Sequence, residues 1–498
     1  MAQWISLLCA AFMLCVLPLL FHDALFDINR FKVSAVRMTV PVLCAAMAVA
    51  CALKGIDWRA FAAGWSKTCI PSMCLLLFAL ACLLSSALAG FEHAVVFGDE
   101  GRYCGLWFML ACIAAFFVIG SGFGRAEALT VSILLCAAAC ALLGFVNMAG
   151  LDPLGFYRGM SEGQRTLFVS TIGHLDFFGT FLVMMFALAG GQCLFAWQRG
   201  MRIFAACCAA VIMLGASASR TDSAFLGVQL VCLALFAISG GELTRMSSAF
   251  FLWSLSFWVQ PLTYAVGRLS SYHPEFFGVP LLVCQSGIAH ILGAVLLAIG
   301  ILCLLLDRKG VRAPGRGCTF ALSVTALGLV AVLLFGTIVY FTLFDTQAEL
   351  GSLSSFLRFD DSWGTLRGFV YIRSMRAYAD FSIVQKLFGA GMELTQRILT
   401  PYFDNPEMLV GGIFNDTHCQ PLQILLTCGL FGALTFVGFY LSMLWQLVRH
   451  AGDDPLLCGV LAALVGYSVI MLINVTQPIL IATYFSICAL AAARLRQR

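Results

Sequence analysis

The chain has 498 residues, 61% of them hydrophobic and only 11% charged, with a formal net charge of +4 and a mean hydropathy of +0.96. Soluble globular chains carry about 45–50% apolar and about 25% charged residues, so a soluble core is excluded and lipid must solvate most of the surface. The charge is dispersed, with no Lys/Arg-rich run, which excludes nucleic acid as a partner.

Apolar runs long enough to cross about 30 Å of hydrocarbon recur along the chain. They lie near 4–22, 36–53, 69–89, 104–120, 128–148, 173–191, 203–217, 224–239, 248–263, 279–306, 319–344, 419–447, 456–473 and 475–493. Met1 to Phe21 reads as a first span rather than a removable signal peptide, because it has no basic n-region and no small-residue cleavage site. The expected fold is all-α: a polytopic transmembrane bundle of about fourteen spans. Residues 1–344 form its first part, 345–418 one long hydrophilic loop, and 419–498 the C-terminal spans.

Sidedness follows from the excess of Lys and Arg in cytoplasmic loops. Arg494, Arg496 and Arg498 belong in the cytoplasm, as do the loop with Arg308, Lys309, Arg312 and Arg316 and the loops 54–68 and 192–202. Segment 345–418 then lies outside, in keeping with its nine acidic against six basic residues. Both termini are expected inside. One loop disagrees: 23–35 falls outside yet carries Arg30 and Lys32. Most of the 22 cysteines sit within apolar runs without zinc-type spacing, and read as small hydrophobes.

With this topology the polar, motif-like residues gather at the outer ends of spans. A channel or pump would more often place them near the midplane; a catalyst at the outer face would gather them there. The first constellation is Gly101-Arg102-Tyr103-Cys104-Gly105, where Arg102 could pair with phosphate oxygens or simply snorkel beside Tyr103 and Trp107. The second runs from Arg165 through Ser170-Thr171 to Gly173-His174-Leu175-Asp176. On a helix His174 and Asp176 would not share a face, which favours backbone or substrate contacts over an acid–base pair. The third is Ser217-Ala218-Ser219-Arg220-Thr221-Asp222, where Arg220 either pairs with Asp222 or contacts an anion.

The fourth is the long loop. Gly368 to Asp380 reads as an amphipathic helix, with Arg373 and Arg376 at i, i+3 and able to face lipid phosphates. The loop closes on Asn415-Asp416-Thr417-His418-Cys419-Gln420. The reference pKa of a histidine suits proton transfer near neutrality, which makes His418 a candidate, although a lone histidine also serves structural ends. No GxSxG elbow, HExxH or Walker A lysine motif is present, and no loop has room for a soluble nucleotide-binding domain.

In this order, the constellations resemble the O-antigen ligase and O-antigen polymerase family of bacterial membrane glycosyltransferases, over roughly residues 90–445. The matching pieces are Gly101-Arg102-x-x-Gly105, Ser170-Thr171-x-Gly173-His174-x-Asp176-Phe177-x-Gly179, Ser219-Arg220, and Gly368 after Arg367. Leu387-Phe388-Gly389-Ala390-Gly391 and His418-x-x-x-Leu422-x-x-Leu425-x-x-x-Gly429-Leu430-x-Gly432 complete the set. The family usually has Gly-Asn-x-Asn where this chain has Gly173-His174-Leu175-Asp176, and Asn where it has Cys419.

The resemblance implies a GT-C-like bundle in the bacterial cytoplasmic (inner) membrane, and a metal-independent enzyme needing no cofactor. It would transfer glycan from an undecaprenyl-diphosphate carrier to a glycan or glycolipid acceptor, as a ligase or a polymerase, with membrane lipids as its other partners. By the same resemblance Arg220 and Arg367 would hold the diphosphate, with Arg102 and Arg165 as further contacts, and His418 would orient or deprotonate the acceptor hydroxyl. His174, Asp176 and Arg373 are further substrate-binding candidates. The rival class is a polytopic lipid or glycan transporter without bond chemistry, which should show paired broken helices or internal repeats.

Overall fold

A computed structural model describes residues 1–54, 67–122, 126–403, 415–475 and 477–497. Most of the expected inner loop 54–68, part of the long loop (404–414) and Arg498 lie outside the described residues. The chain is an all-α polytopic bundle, and every apolar run in the sequence falls on helix, the run 279–306 on two. In chain order these are α1 (Ala2–Leu19), α2 (Ile28–Lys54), α3 (Cys69–Leu88), α4 (Leu106–Gly120), α5 (Ala126–Met148) and α6 (Leu175–Phe195). Next come α7 (Arg199–Ala218), α8 (Asp222–Ile238), α9 (Leu243–Leu269), α10 (Gly278–Gln285), α11 (Ile288–Arg308) and α12 (Arg316–Val339). The long loop carries α13 (Trp363–Asp380), α14 (Ile383–Phe388) and α15 (Thr395–Leu399), followed by α16 (Gln420–His450), α17 (Pro455–Ile473) and α18 (Pro478–Gln497). Among the described residues, 11 helices are long and apolar enough to cross a membrane, and α4 and α8 are shorter apolar helices. The one sheet among them is the pair Phe168–Val169 and Gly173–His174, antiparallel, just before α6.

Two differences from the sequence reading have local causes. The run 279–306 is two helices, because Ser286-Gly287 interrupts it and Gly287 takes φ +72°. In α2 the helix starts at Ile28, eight residues before the expected span, which brings Asn29, Arg30 and Lys32 into its first turns.

Apolarity alone does not make a helix central here, because lipid covers an apolar face as well as protein does. α6 (LDFFGTFLVMMFALAGGQCLF), α17 and α18 are the most enclosed of the spanning helices and form the centre. α6 packs on α17 and α7, α17 on α8, and α18 on α4; α3 packs on α16, and α9 on α11. α12 lies at the rim, with only Thr319 and Ser323 buried. Polar termini are tied down at the centre: Asp454 caps α17 through the amides of Leu456 and Leu457, and its other oxygen takes Arg494 Nε at 2.7 Å.

Candidate active site

The loop helix α13 positions the site. Gly364, Thr365 and Leu366 are left-handed, so regular helix begins at Arg367. One face carries Val370 and Ala377, which pack with Leu399, Phe403 and Leu426. Another carries Arg367 and Tyr371, four residues apart, and this face meets the end of α17. Arg367 Nε donates to the Ile473 carbonyl at 2.6 Å, and Tyr371 Oη to the Leu472 carbonyl at 2.7 Å. Both carbonyls are among those a helix end leaves unpaired. Tyr371 Oη also reaches the His418 carbonyl at 3.1 Å.

His418 stands just before α16 with φ +55°, a left-handed conformation. Its backbone N–H donates to Asp416 Oδ1 at 2.7 Å, and its Nδ1 lies 3.3 Å from the Asp416 carbonyl. A carbonyl can only accept, so the neutral ring carries its proton on Nδ1 and leaves the Nε2 lone pair open. Burial pushes its pKa below the ordinary value; the Arg367 charge acts in the same direction and the Asp416 charge opposes it.

His174 is not on the helix but caps it: Nδ1 accepts the Asp176 N–H at 3.3 Å, so the neutral ring carries its proton on Nε2. This cap, absent from the sequence reading, brings the ring within 3.6 Å of Asp176 Oδ2 despite the spacing of two. His174 and His418 thus hold opposite tautomers, one offering a donor at Nε2 and the other an acceptor.

Both histidines line one cavity of ≈ 620 Å³ together with Asp176, Asn415, Arg30 and Gln477. The sequence reading missed Asn29, Arg30 and Gln477, and saw Arg30 and Lys32 only as a topology conflict. Asn29 Nδ2 donates to Gln477 Oε1 at 3.0 Å, and exposed Arg30 borders the cavity. Lys32 is buried, with Nζ donating to the carbonyls of Leu17 and Pro18 at 3.0 and 2.9 Å, where it caps α1. The signal available in the sequence was the polar cluster Asp27-Ile28-Asn29-Arg30 beside an apolar run.

The other expected residues are distributed as follows. Arg102 touches the cavity but is held by two carboxylates, with Nη1 2.6 Å from Asp416 Oδ2 and Nε 3.2 Å from Glu393 Oε2. Although burial disfavours its charge, those carboxylates keep the guanidinium firmly ionised. Arg373 pairs with Asp361 and lies 3.8 Å over the Phe369 ring, turned into the loop, while Arg376 is exposed.

Arg220 and Asp222 do not pair among the described residues. Arg220 donates from Nη1 to the Glu275 carbonyl at 2.8 Å and from Nη2 to the Thr166 carbonyl, whereas Asp222 Oδ1 accepts from the Val279 amide at 2.6 Å. Burial lowers the Arg220 pKa to about 10. Arg165 sits on the short helix Glu162–Leu167, beside the Thr166 that receives Arg220. Ser170 and Thr171 are structural, donating from their hydroxyls to the carbonyls of Cys140 and Pro18.

A polytopic helical membrane protein with two histidines and a carboxylate in one cavity is the class that fold and site define. The family model described as Wzy_C, O-antigen ligase, matches residues 279–437. This bears out the resemblance to the O-antigen ligase and polymerase family over a stretch that includes Arg367, Arg373, His418 and Gly429. No curated protein and no solved structure matches the chain.

Proposed function

We propose that the protein transfers glycan from an undecaprenyl-diphosphate carrier to a glycan or glycolipid acceptor, outside the bacterial inner membrane, with His418 as the base. The observation that carries this reading is the convergence of His418, His174 and Asp176 on one cavity, with the Arg367 charge acting on His418. The acceptor hydroxyl attacks the anomeric carbon of the donor glycan while the carbon–oxygen bond to the diphosphate breaks. The hydroxyl proton passes to His418 Nε2, and the diphosphate leaves with the bonding electrons. His174 Nε2–H and Asp176 orient the sugar.

Charge develops on the diphosphate as that bond breaks, and fixed guanidinium groups stabilise it. Arg220 and Arg367 suit this role because the groups that accept their hydrogen bonds among the described residues are backbone carbonyls. Neither has a carboxylate partner among the described residues, so each keeps a charge that an anionic ligand can neutralise. Arg165, beside Thr166, is the further contact. In this reading no metal is required.

The test uses reconstituted membranes and an undecaprenyl-diphosphate oligosaccharide from the source strain, following carrier release and product length. A ladder of lengths absent in His418→Ala and Arg220→Ala identifies a polymerase. One transfer to an added acceptor identifies a ligase. Glycan crossing the bilayer with no bond broken would sink the enzyme reading in favour of a transporter.

A further inference from the structure

Three charged side chains from distant segments close on one another beside His418. Arg102 precedes α4, Glu393 lies on the long loop between α14 and α15, and Asp416 is two residues before His418. Arg102 bridges the two carboxylates, and the side chains are 4%, 6% and 0% exposed for Arg102, Glu393 and Asp416. Asp416 divides its oxygens: Oδ2 meets Arg102, and Oδ1 accepts the His418 backbone N–H. At this junction Tyr103, Glu393 and His418 all take left-handed φ, at +57°, +59° and +55°. Side chains other than glycine adopt that region at a cost and keep it only where their surroundings impose it.

Stability alone does not account for the cluster. A buried ion triad contributes little more than an apolar replacement of the same volume, because desolvation offsets the attraction. What the triad does supply is geometry: it joins the segment before α4, the long loop and the segment entering α16 at one carboxylate.

From this geometry we infer that Arg102, Asp416 and Glu393 are a clamp of positioning residues that fixes the His418 ring towards the cavity. Arg102 is thereby committed to the clamp and not to the diphosphate. The inference rests on the glycosyl-transfer reading of His418. The charged and titratable groups facing that ring are Asp416 on its own segment, Arg367 on α13 and Asp176 on α6, with the Tyr371 hydroxyl on its carbonyl.

The experiment compares the full-length protein in proteoliposomes with His418→Ala, with Asp416→Asn, and with a neutral triple variant (Arg102→Met, Asp416→Asn, Glu393→Gln). The triple variant strands no buried charge, so it is expected to extract as folded protein. Its KM for the carrier-linked donor should stay within about twofold while kcat falls at least about tenfold, as for an interaction used in the transition state. Asp416→Asn alone should move the acid limb of kcat to lower pH, because it removes a negative charge that favours the imidazolium. An unmoved limb would mean that the Asp416 carboxylate does not act on the His418 ring.

Native kcat in the triple variant, with His418→Ala inactive, overturns the clamp and spares the transfer reading. Native transfer in His418→Ala overturns both. If the triple variant yields no folded protein, the Asp416→Asn profile decides, and an unmoved acid limb overturns the clamp.

Discussion

At the scale of single residues, the chemistry turns on which charges are already neutralised. Arg102 and Arg373 have carboxylate partners, whereas Arg220 and Arg367 bond to backbone carbonyls. The family resemblance put Arg220 and Arg367 first and Arg102 and Arg373 behind them, but spacing says nothing about which carboxylate a side chain meets across about 300 residues, as Arg102 meets Glu393. His418 leads to a pH prediction. Its burial and the Arg367 charge lower its pKa, so the neutral, base-competent ring persists to more acidic pH. Activity is lost as pH falls through that lowered pKa, and the acid limb of kcat/KM is expected below the ordinary histidine value of about 6.5. Arg367→Gln removes a positive charge beside the imidazole and is expected to shift that limb to higher pH, measured with the same transfer assay.

At the scale of elements, the glycines in the two late motifs explain each other. α16 is interrupted at Gly429, with φ +69° and ψ −173°. The break opens the carbonyls of Leu426 and Thr427, which accept from the amides of Ala390 and Gly391 at 3.1 and 3.2 Å. The backbones approach so closely that a Cβ on Gly429 would stand 2.4 Å from the Leu387 carbonyl, and one on Gly389 2.1 Å from the Thr427 oxygen. Gly429→Ala and Gly389→Ala should each cost at least about 1–3 kcal/mol in strain and displaced backbone. Thermal unfolding of the detergent-extracted protein measures this, as a lowered Tm for each variant against a surface change such as Lys386→Gln. The sequence showed both glycine motifs but not that they touch, since 38 residues separate Gly391 from Gly429.

At the scale of the molecule, the long loop is docked by its own helices. Val370 and Ala377 of α13 bury against Leu399 and against Leu426 of α16, and Arg367 and Tyr371 cap α17. The arrangement expected from the Lys/Arg distribution places this loop outside and both termini inside. A protease site inserted between Asp345 and Asp361 should be cut in intact spheroplasts, and one appended after the C-terminus only after lysis. Cleavage in the opposite pattern would invert the topology. Of the two basic residues that troubled the rule, Lys32 is buried, its Nζ bonded to the end of α1 rather than presented to the membrane surface.

The sequence by itself determined that the chain is a helical membrane bundle, because apolar length in lipid leaves the backbone no other way to satisfy its hydrogen bonds. It also marked His418, His174 and Asp176, because polar side chains at the ends of apolar runs are costly without a reason to be there. Only the tertiary structure decided which of the marked residues meet. The cavity, the clamp on Asp416 and the cap by His174 are made by contacts across distant segments or by local backbone geometry. Hydropathy reports how a segment partitions into lipid; it carries no information about which segment will pack beside it.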